Sequence, residues 1–584
     1  MPTFDNKYIA NILTETAALM EVANEDSFRI RSYRRAAEAI EGLPQQLSEI
    51  WQEPKKMLEI PGIGKGMVAN ITEIFSSGGK LKLHQEFLER YHPSMLELLK
   101  ISGMGPKTIA LIWDAFQVCD LAGVEKLAKE GKLRSLPRQS EKSEQKILRA
   151  IEQYRKVSGR FHIDAADEVA QKLITLLKAM PGVDKVTPAG SLRRGRETVG
   201  DLDLLVTGKC GENEKQRDAV IARILELPGI MEVLAKGENK VSFKLSTGLQ
   251  VDVRILAPGS FGAALLYFTG SKNHNVRLRQ RALKMGYTLN EYSLARLKTE
   301  KPVASKTEEE IYAKLGLDYI PPELREDSGE IEAAEKHEIP DLVTMEELRG
   351  DVHMHTVETD GRNTIEEMAE AARARGYKYM AITDHSKNLA MTNGLDDKRA
   401  VEHIKRIRDV AKKFEGIRIM AGIEVDILAD GELDLSDSVL EQMDVVIASV
   451  HSHFNQEPAK MTERLLRAIS NRNVSALGHP TGRLLLRRDG YDFDMEAVLA
   501  AAAQNKVAME LNAYPDRLDL NDRHLRMAKE RGVKIVINTD SHHTSHMEKI
   551  KYGVLQARRA WLTKDDVLNT LSPDKFAKAM KHAW

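Results

Sequence analysis

The sequence predicts a multidomain chain, with helical domains at the N-terminal end, an α+β domain in the middle and an α/β barrel at the C-terminal end. Three patterns carry that reading. From Asn6 to about Glu89 apolar residues recur at three and four spacing with few β-branched runs, which is helical periodicity. Over residues 155–255 helical and strand-like patterns alternate. From Gly350 onward come seven apolar runs, DVHMHT, YMAITDH, IRIMAGIEVDI, DVVIASVHSH, VSALGHP, VAMELNA and VKIVINTDSH, each followed by amphipathic helical sequence. Such alternation builds parallel strands that close into a barrel. At 584 residues the chain is too long for a single core.

Composition narrows the setting. No apolar run has membrane length, and MPTFDNKYIANIL lacks the charge-then-apolar layout of a signal peptide. Cys119 and Cys210 stand far apart without a partner motif, so a reducing cytoplasm and no membrane partner are expected. The net charge of −1 is unevenly spread. Residues 1–300 hold 45 Lys+Arg against 37 Asp+Glu, while residues 301–350 hold 6 against 14. The basic surplus falls where a phosphate-binding surface is expected below. Twelve of the 17 histidines lie beyond residue 350, which is the composition of a metal site.

In the N-terminal region, LEIPGIGKGMVANITEI (58–74) reads as a helix, a Gly-rich hairpin and a second helix. LLKISGMGPKTIALIW (98–113) repeats it, with Gly103 and Gly105 answering to Gly62 and Gly64. Glycines allow the tight turn, and the following helix starts with N–H groups turned outward, a ready phosphate site. A plain turn between packed helices is the alternative, and the repetition weighs against it. The two units resemble helix-hairpin-helix motifs, which hold the DNA backbone without reading its sequence. GKLRSLPRQSEKSEQKIL (131–148) reads as a degenerate third copy without the Gly-x-Gly.

The stretch GSLRRGRETVGDLD, residues 190–203, organises the middle of the chain. If DLDLLV is a strand, the carboxylates of Asp201 and Asp203 project from one face. Asp252 arrives in LQVDVRIL, a second alternating run. Gly190 and Ser191 offer backbone and hydroxyl donors, and Arg193 and Arg194 suit phosphate oxygens. Three acids on two strands beside such donors are what two-metal phosphoryl transfer requires, with Mg²⁺ or Mn²⁺ as the hard cation. Arg254, two residues from Asp252, would buffer the acids. Arg277, Arg279, Arg281 and Lys284 follow at helical spacing, and contact with a phosphate-bearing ligand is expected of that row, template or nucleotide under the resemblance given next.

This middle region resembles the nucleotidyltransferase signature of family X DNA polymerases, the DNA polymerase beta group. The match runs from Gly190 through Ser191, Arg194 and Gly200 to Asp201 and Asp203, then to Asp252 and YFTGSKNHNVRLR (267–279). The resemblance implies a dNTP with its phosphates on Ser191 and Arg194. Tyr267, Phe268 and Gly270 would lie along the sugar, and Asn275 and Arg279 would face the base and template. It also implies a lyase lysine in the first hairpin region, but alignment on Gly62 and Gly64 places Asn70 there, which cannot form an imine. Lys65 is a nearby substitute that the spacing does not select.

At the C-terminal end, potential ligands recur at the ends of six of the seven apolar runs, VAMELNA being the exception. A metal cluster explains that recurrence better than separate core histidines. The set resembles the PHP (polymerase and histidinol phosphatase) domain, seen fused behind bacterial family X polymerases. The resemblance implies nine ligands for up to three ions of Mn, Zn or Fe: His353, His355, Asp360, His385, Glu424, His451, His479, Asp540 and His542. It also implies a 3′→5′ exonuclease, with AP endonuclease or 3′-phosphatase activity as further options. His453 and the run GRLLLRRDG (482–490) are candidates for holding the scissile strand.

Together these readings give a helical DNA-end-binding domain at 1–88, a fingers-like helical domain at 89–154 and a nucleotidyltransferase palm at 155–255. A thumb at 256–318, an acidic linker at 319–349 and a distorted (β/α)7 PHP barrel at 350–584 complete the chain. The expected protein is a monomeric polymerase acting on gapped or nicked DNA with dNTPs. Two alternatives stay open. One is a template-independent nucleotidyltransferase, and the other a DNA-binding protein whose only enzyme is a PHP phosphatase.

Overall fold

The computed structural model describes every residue except 1–3, 5, 42, 44, 45, 61, 102, 390, 391, 583 and 584. It forms two compact units, Met1–Ser158 and Gly159–Trp584.

The first unit is helical. Helix Asn6–Val22 packs against Ser27–Glu41 and Pro106–Phe116. One apolar cluster extends from Ile9 to Ile151, so the expected boundary at 88/89 falls inside a shared core. Both hairpins form. The chain turns through Gly62 and Gly103 at φ +93° and +87°, left-handed values that a side chain would resist. Gly64 and Gly105 then cap helices Lys65–Ser76 and Pro106–Phe116, and neither brings a side chain to close off the helix start. The third copy differs. Its helix Glu141–Val157 is capped by Ser140, whose hydroxyl accepts from Ser143 N at 3.2 Å.

The second unit begins with a five-stranded sheet in the order Lys185–Pro188, Asp201–Thr207, Gln250–Leu256, Lys240–Leu245 and Ile230–Lys236. Asp201–Thr207 and Gln250–Leu256 run parallel, and their register sets Asp203 opposite Asp252. Helices Ile163–Lys178 and Glu214–Leu225 pack their apolar faces into this core.

Helices Phe261–Thr269, Lys272–Lys284 and Glu308–Lys314 and a small antiparallel sheet follow. The acidic segment 319–349 is packed rather than extended. Its Ile320, Leu324, Ile331, Ala334 and Leu342 are buried in one cluster with Leu266 and Leu278. Its carboxylates take up the neighbouring arginines: Arg277 pairs with Asp327 at 3.0 Å and with Glu332, and Arg281 with Glu335 at 3.0 Å. The expectation that this whole row faces template or nucleotide is therefore corrected for Arg277 and Arg281, because the chain folds back onto their helix.

The C-terminal barrel has seven parallel strands in sequence order: Gly350–Asp351, Tyr379–Ile382, Arg418–Asp426, Val445–Ser449, Ala476–Leu477, Ala508–Asn512 and Ile535–Asn538. A bridge between Met354 and Ser541 joins the first strand's extension to the last, with His355 N donating to Ser541 O at 2.8 Å. The barrel packs on the five-stranded domain. Leu518 and Tyr552 enter that domain's core, Arg483 pairs with Glu197 at 2.6 Å, and Lys551 pairs with Asp167 at 2.7 Å. Among the described residues, no helix is long and apolar enough to cross a membrane.

Candidate active sites

Asp201 and Asp203 extend from one side of their strand, with the buried Leu202 between them pointing into the core. Burial, then the charges of Asp201 and Asp252, push Asp203 up to about 7. Like charges at this spacing make ionisation costly until a cation arrives. Burial also works against the Asp252 carboxylate, but Ser242 and Lys240 outweigh it and lower its pKa. The Lys240 ammonium lies 2.9 Å from Asp252 Oδ2. Sequence reading gave the buffering role to Arg254 alone. Arg254 does favour ionised Asp203, but its guanidinium lies 4.1 Å from the Phe268 ring centre, and Lys240 makes the direct contact. Lys240 was missed because it comes from a neighbouring antiparallel strand, twelve residues upstream.

A cleft of about 350 Å³ opens beside Asp201 and Asp203. It brings together Gly190, Ser191, Arg194, Tyr267, Phe268, Gly270, Asn275 and Arg279, and adds Thr269 and Lys272. Gly200 does not line it; a Cβ there would stand 3.6 Å from Arg160 Nη1. The Ser191 hydroxyl is buried without a hydrogen-bond partner, which is costly unless a ligand satisfies it. Arg194 donates through Nε to Glu326 at 3.0 Å and through Nη1 to the Thr269 carbonyl. Arg193, expected beside it on phosphate, turns away. It grips Glu308 with both terminal nitrogens at 2.8 and 2.7 Å and donates to Thr269 Oγ1 at 2.6 Å. Asn275 Nδ2 donates to the Tyr267 carbonyl at 2.7 Å, which fixes the aromatic turn against the next helix.

The nine barrel residues converge at one end of the strands. His355, Asp360, His385 and His542 form one close group, His353, His355 and Asp540 a second, and His385, Glu424 and His451 a third. Glu424 lies at the centre. Its Oε1 is 2.9 Å from His479 Nε2 and 3.3 Å from His451 Nε2, and its Oε2 is 2.9 Å from His385 Nδ1 and 3.4 Å from His353 Nε2. Burial opposes its ionisation, but the surrounding imidazoles hold it well below the usual carboxylate range. Asp540 and His479 take left-handed φ values of +52° and +25°, the kind of local backbone strain that clusters at functional sites.

The residues fit the ions that the PHP resemblance implies. His353 Nε2, both ring nitrogens of His355 and His479 Nδ1 are buried without hydrogen-bond partners. Buried imidazole and carboxylate donors in this number suit divalent transition metals.

Two carboxylates behind this cluster escaped sequence reading. Glu510 accepts from His353 Nδ1 at 2.7 Å, from the His479 backbone at 2.6 Å and from Asn538 Nδ2 at 2.9 Å. It lies in VAMELNA, the run that offered no ligand, and an acid inside an apolar strand was the available signal. Asp426 accepts from His451 Nδ1 at 3.0 Å. Of the candidates for holding a strand, His453 and Arg487 are exposed, while Arg488 stacks 4.1 Å over Phe454. Arg483 is taken up by Glu197. Arg517, not singled out before, reaches to 3.6 Å from Asp540. In the first unit, Asn70 donates its amide to the Tyr33 hydroxyl at 2.8 Å.

Comparison with known proteins identifies the domains of the chain. Family models match as a helix-hairpin-helix domain at residues 4–80, a SAM-like helix-hairpin-helix tandem at 95–153, a DNA polymerase beta thumb at 264–326 and a PHP domain at 351–539. The chain is 39% identical over 570 residues to the DNA polymerase/3′-5′ exonuclease PolX of Bacillus subtilis (strain 168), covering 97% of each chain. Over 231 residues, 38% of this chain and 89% of the other, it is 29% identical to a probable phosphatase of Thermoanaerobacter sp. (strain X514). A probable phosphatase of Shewanella sp. (strain MR-4) is 31% identical over 202 residues, 33% of this chain and 75% of the other.

Proposed function

We propose how two activities are divided within a chain that belongs to the family of the DNA polymerase/3′-5′ exonuclease PolX. The protein is a family X DNA polymerase with a metal-dependent PHP exonuclease, and its N-terminal hairpins bind DNA.

In the synthetic site, Ser191 and Arg194 hold the dNTP phosphates, Tyr267, Phe268 and Gly270 border the sugar, and Asn275 and Arg279 face the base and template. Asp201, Asp203 and Asp252 hold Mg²⁺ or Mn²⁺, which supplies charge neutralisation and activation of the primer 3′-hydroxyl. Lys240 keeps Asp252 ionised meanwhile. The 3′-oxygen then displaces pyrophosphate from the α-phosphorus in line, and Arg194 offsets the charge that gathers on the leaving group.

In the barrel, the nine ligands hold up to three Mn, Zn or Fe ions, which supply Lewis acidity and an activated water for phosphodiester hydrolysis. Glu510 and Asp426 fix the rings of His353 and His451, and Arg517 lies where a phosphate oxygen would approach. Short gaps and nicks in DNA under repair are the substrates, engaged by a monomer through Gly62, Gly64, Gly103 and Gly105. A second reading for the barrel, 3′-phosphatase action, draws on its likeness to proteins named probable phosphatases.

One observation carries the polymerase assignment: Asp203 faces Asp252 across a parallel ladder beside a cleft with an unpaired serine hydroxyl. A labelled gapped duplex with Mg²⁺ or Mn²⁺, with and without dNTPs, tests the whole scheme. Asp203→Ala should stop extension and spare degradation, while His353→Ala and Glu424→Ala should do the reverse. Extension that persists without a template would instead mark a terminal transferase.

A further inference from the structure

The loop that follows the phosphate cradle of the palm is gripped by the C-terminal domain. Helix Ile550–Arg559 lies against Arg194 and Gly195. Gln556, fully buried, donates through Nε2 to the Gly195 carbonyl at 2.6 Å. Leu555 packs so close that a Cβ on Gly195 would stand 3.0 Å from its own Cβ. Arg559 donates through Nη1 to the Arg194 carbonyl at 2.9 Å and to Glu326 Oε1 at 3.0 Å. Its Nε and Nη2 are anchored on Asp522 Oδ2 at 3.0 and 2.6 Å. The same Glu326 oxygen accepts from Arg194 Nε.

Arg194 is therefore held at its backbone by Arg559 and at its guanidinium by Glu326, which Arg559 also holds. With Nε on Glu326 and one Nη1 hydrogen on Thr269 O, its remaining donors are left for a ligand in the cleft. A guanidinium fixed beforehand loses little freedom when an anion binds it.

We propose that helix Ile550–Arg559 of the nuclease domain is a working part of the polymerase nucleotide site, with Arg559 and Gln556 as positioning residues for Arg194. The inference rests on the reading of Arg194 as a triphosphate ligand. It means that the barrel serves synthesis as well as degradation, independently of its own metal ligands. A purely adhesive contact between domains would instead affect stability without selecting for nucleotide affinity.

The test uses the full chain and single-nucleotide insertion into a gapped duplex, comparing Gln556→Ala, Arg559→Ala, Arg559→Lys and Arg194→Ala. Loss of one charge-assisted or buried hydrogen bond is expected to raise KM for the dNTP about tenfold in Gln556→Ala and Arg559→Ala, with kcat within about threefold. Arg559→Lys keeps the charge but not the fork, and its KM should fall between those of the parent and Arg559→Ala. Exonuclease activity should be retained in all three, showing that the barrel is folded. If Arg559→Ala does not fold, Gln556→Ala and Arg559→Lys carry the comparison. An unchanged dNTP KM in these variants, while Arg194→Ala raises it, overturns the positioning role alone. An unchanged KM in Arg194→Ala overturns the nucleotide-site reading and this inference with it. Parallel loss of extension and degradation would mark the contact as adhesive only and also overturn the proposal.

Discussion

Gly190 leaves no room for a side chain beside Asp203: a Cβ on it would come within 2.4 Å of Asp203 Oδ2. The backbone there also takes φ +60°, which glycine tolerates and L side chains resist. The Asp203 carboxylate cannot keep its orientation toward the cleft if residue 190 gains a methyl group. Gly190→Ala should reduce nucleotide incorporation by about two orders of magnitude, the scale of an ångström-sized misplacement at a reacting centre. Exonuclease rates on the same preparation should match the parent and show that the loss is local.

Glu510 is not among the nine proposed ligands, yet it holds two residues that are. Replacing it with Gln keeps the shape but weakens the His353 contact and the His479 backbone contact. Outer carboxylates of this kind are typically worth 10- to 100-fold in metal affinity. Glu510→Gln should therefore need about that much more Mn²⁺ to fill the barrel, as read by calorimetric titration or metal content after gel filtration. Primer extension should be unaffected.

Glu308 ties Arg193, next to the cleft arginine Arg194, to Arg325 of the packed acidic segment. Burial would raise its pKa, but hydrogen bonds and charge from Arg193 and Arg325 take it down to about 2. A depressed carboxylate stabilises the fold above the unfolded value, near 4.3, and that contribution fades as pH falls toward 2. Glu308→Gln should lower stability by about 3 kcal/mol at pH 7, since it also leaves a buried arginine unpaired. In calorimetry the gap between the parent and variant midpoints should narrow steadily below pH 4.5.

The buried, unpaired imidazoles of the barrel predict a stability gain when ions bind. At a free metal concentration one hundred times Kd, the linkage is worth about 2.7 kcal/mol. Chelation should lower the barrel's melting midpoint and Mn²⁺ should restore it, while Glu424→Ala should erase most of that response.

Both sites were legible because their chemistry is local in sequence. Asp201 and Asp203 lie two apart on one strand, and six of the seven barrel strands end in ligands of their own. What escaped depends on partners far along the chain. Arg193 and Arg194 are adjacent and identical in type, yet a short helix sends one to Glu308 and leaves the other in the cleft. Nothing in their spacing separates them. Arg277 and Arg281 looked available until the segment around Glu332 and Glu335 folded back on them. Arg559 lies 365 residues from the backbone it holds, so no periodicity points to it.

The bridge between Met354 and Ser541 has a consequence for how the protein is made. His353 and His355 flank it on one side, Asp540 and His542 flank it on the other, and nearly two hundred residues must be translated between them. A ribosome finishes the palm and thumb long before it delivers the last of these donors. The newborn chain therefore completes its nuclease site only near the end of synthesis, and helix Ile550–Arg559, which grips Arg194 and Gly195, emerges later still, so a premature stop before that final strand removes the nuclease and the support of the nucleotide cleft together.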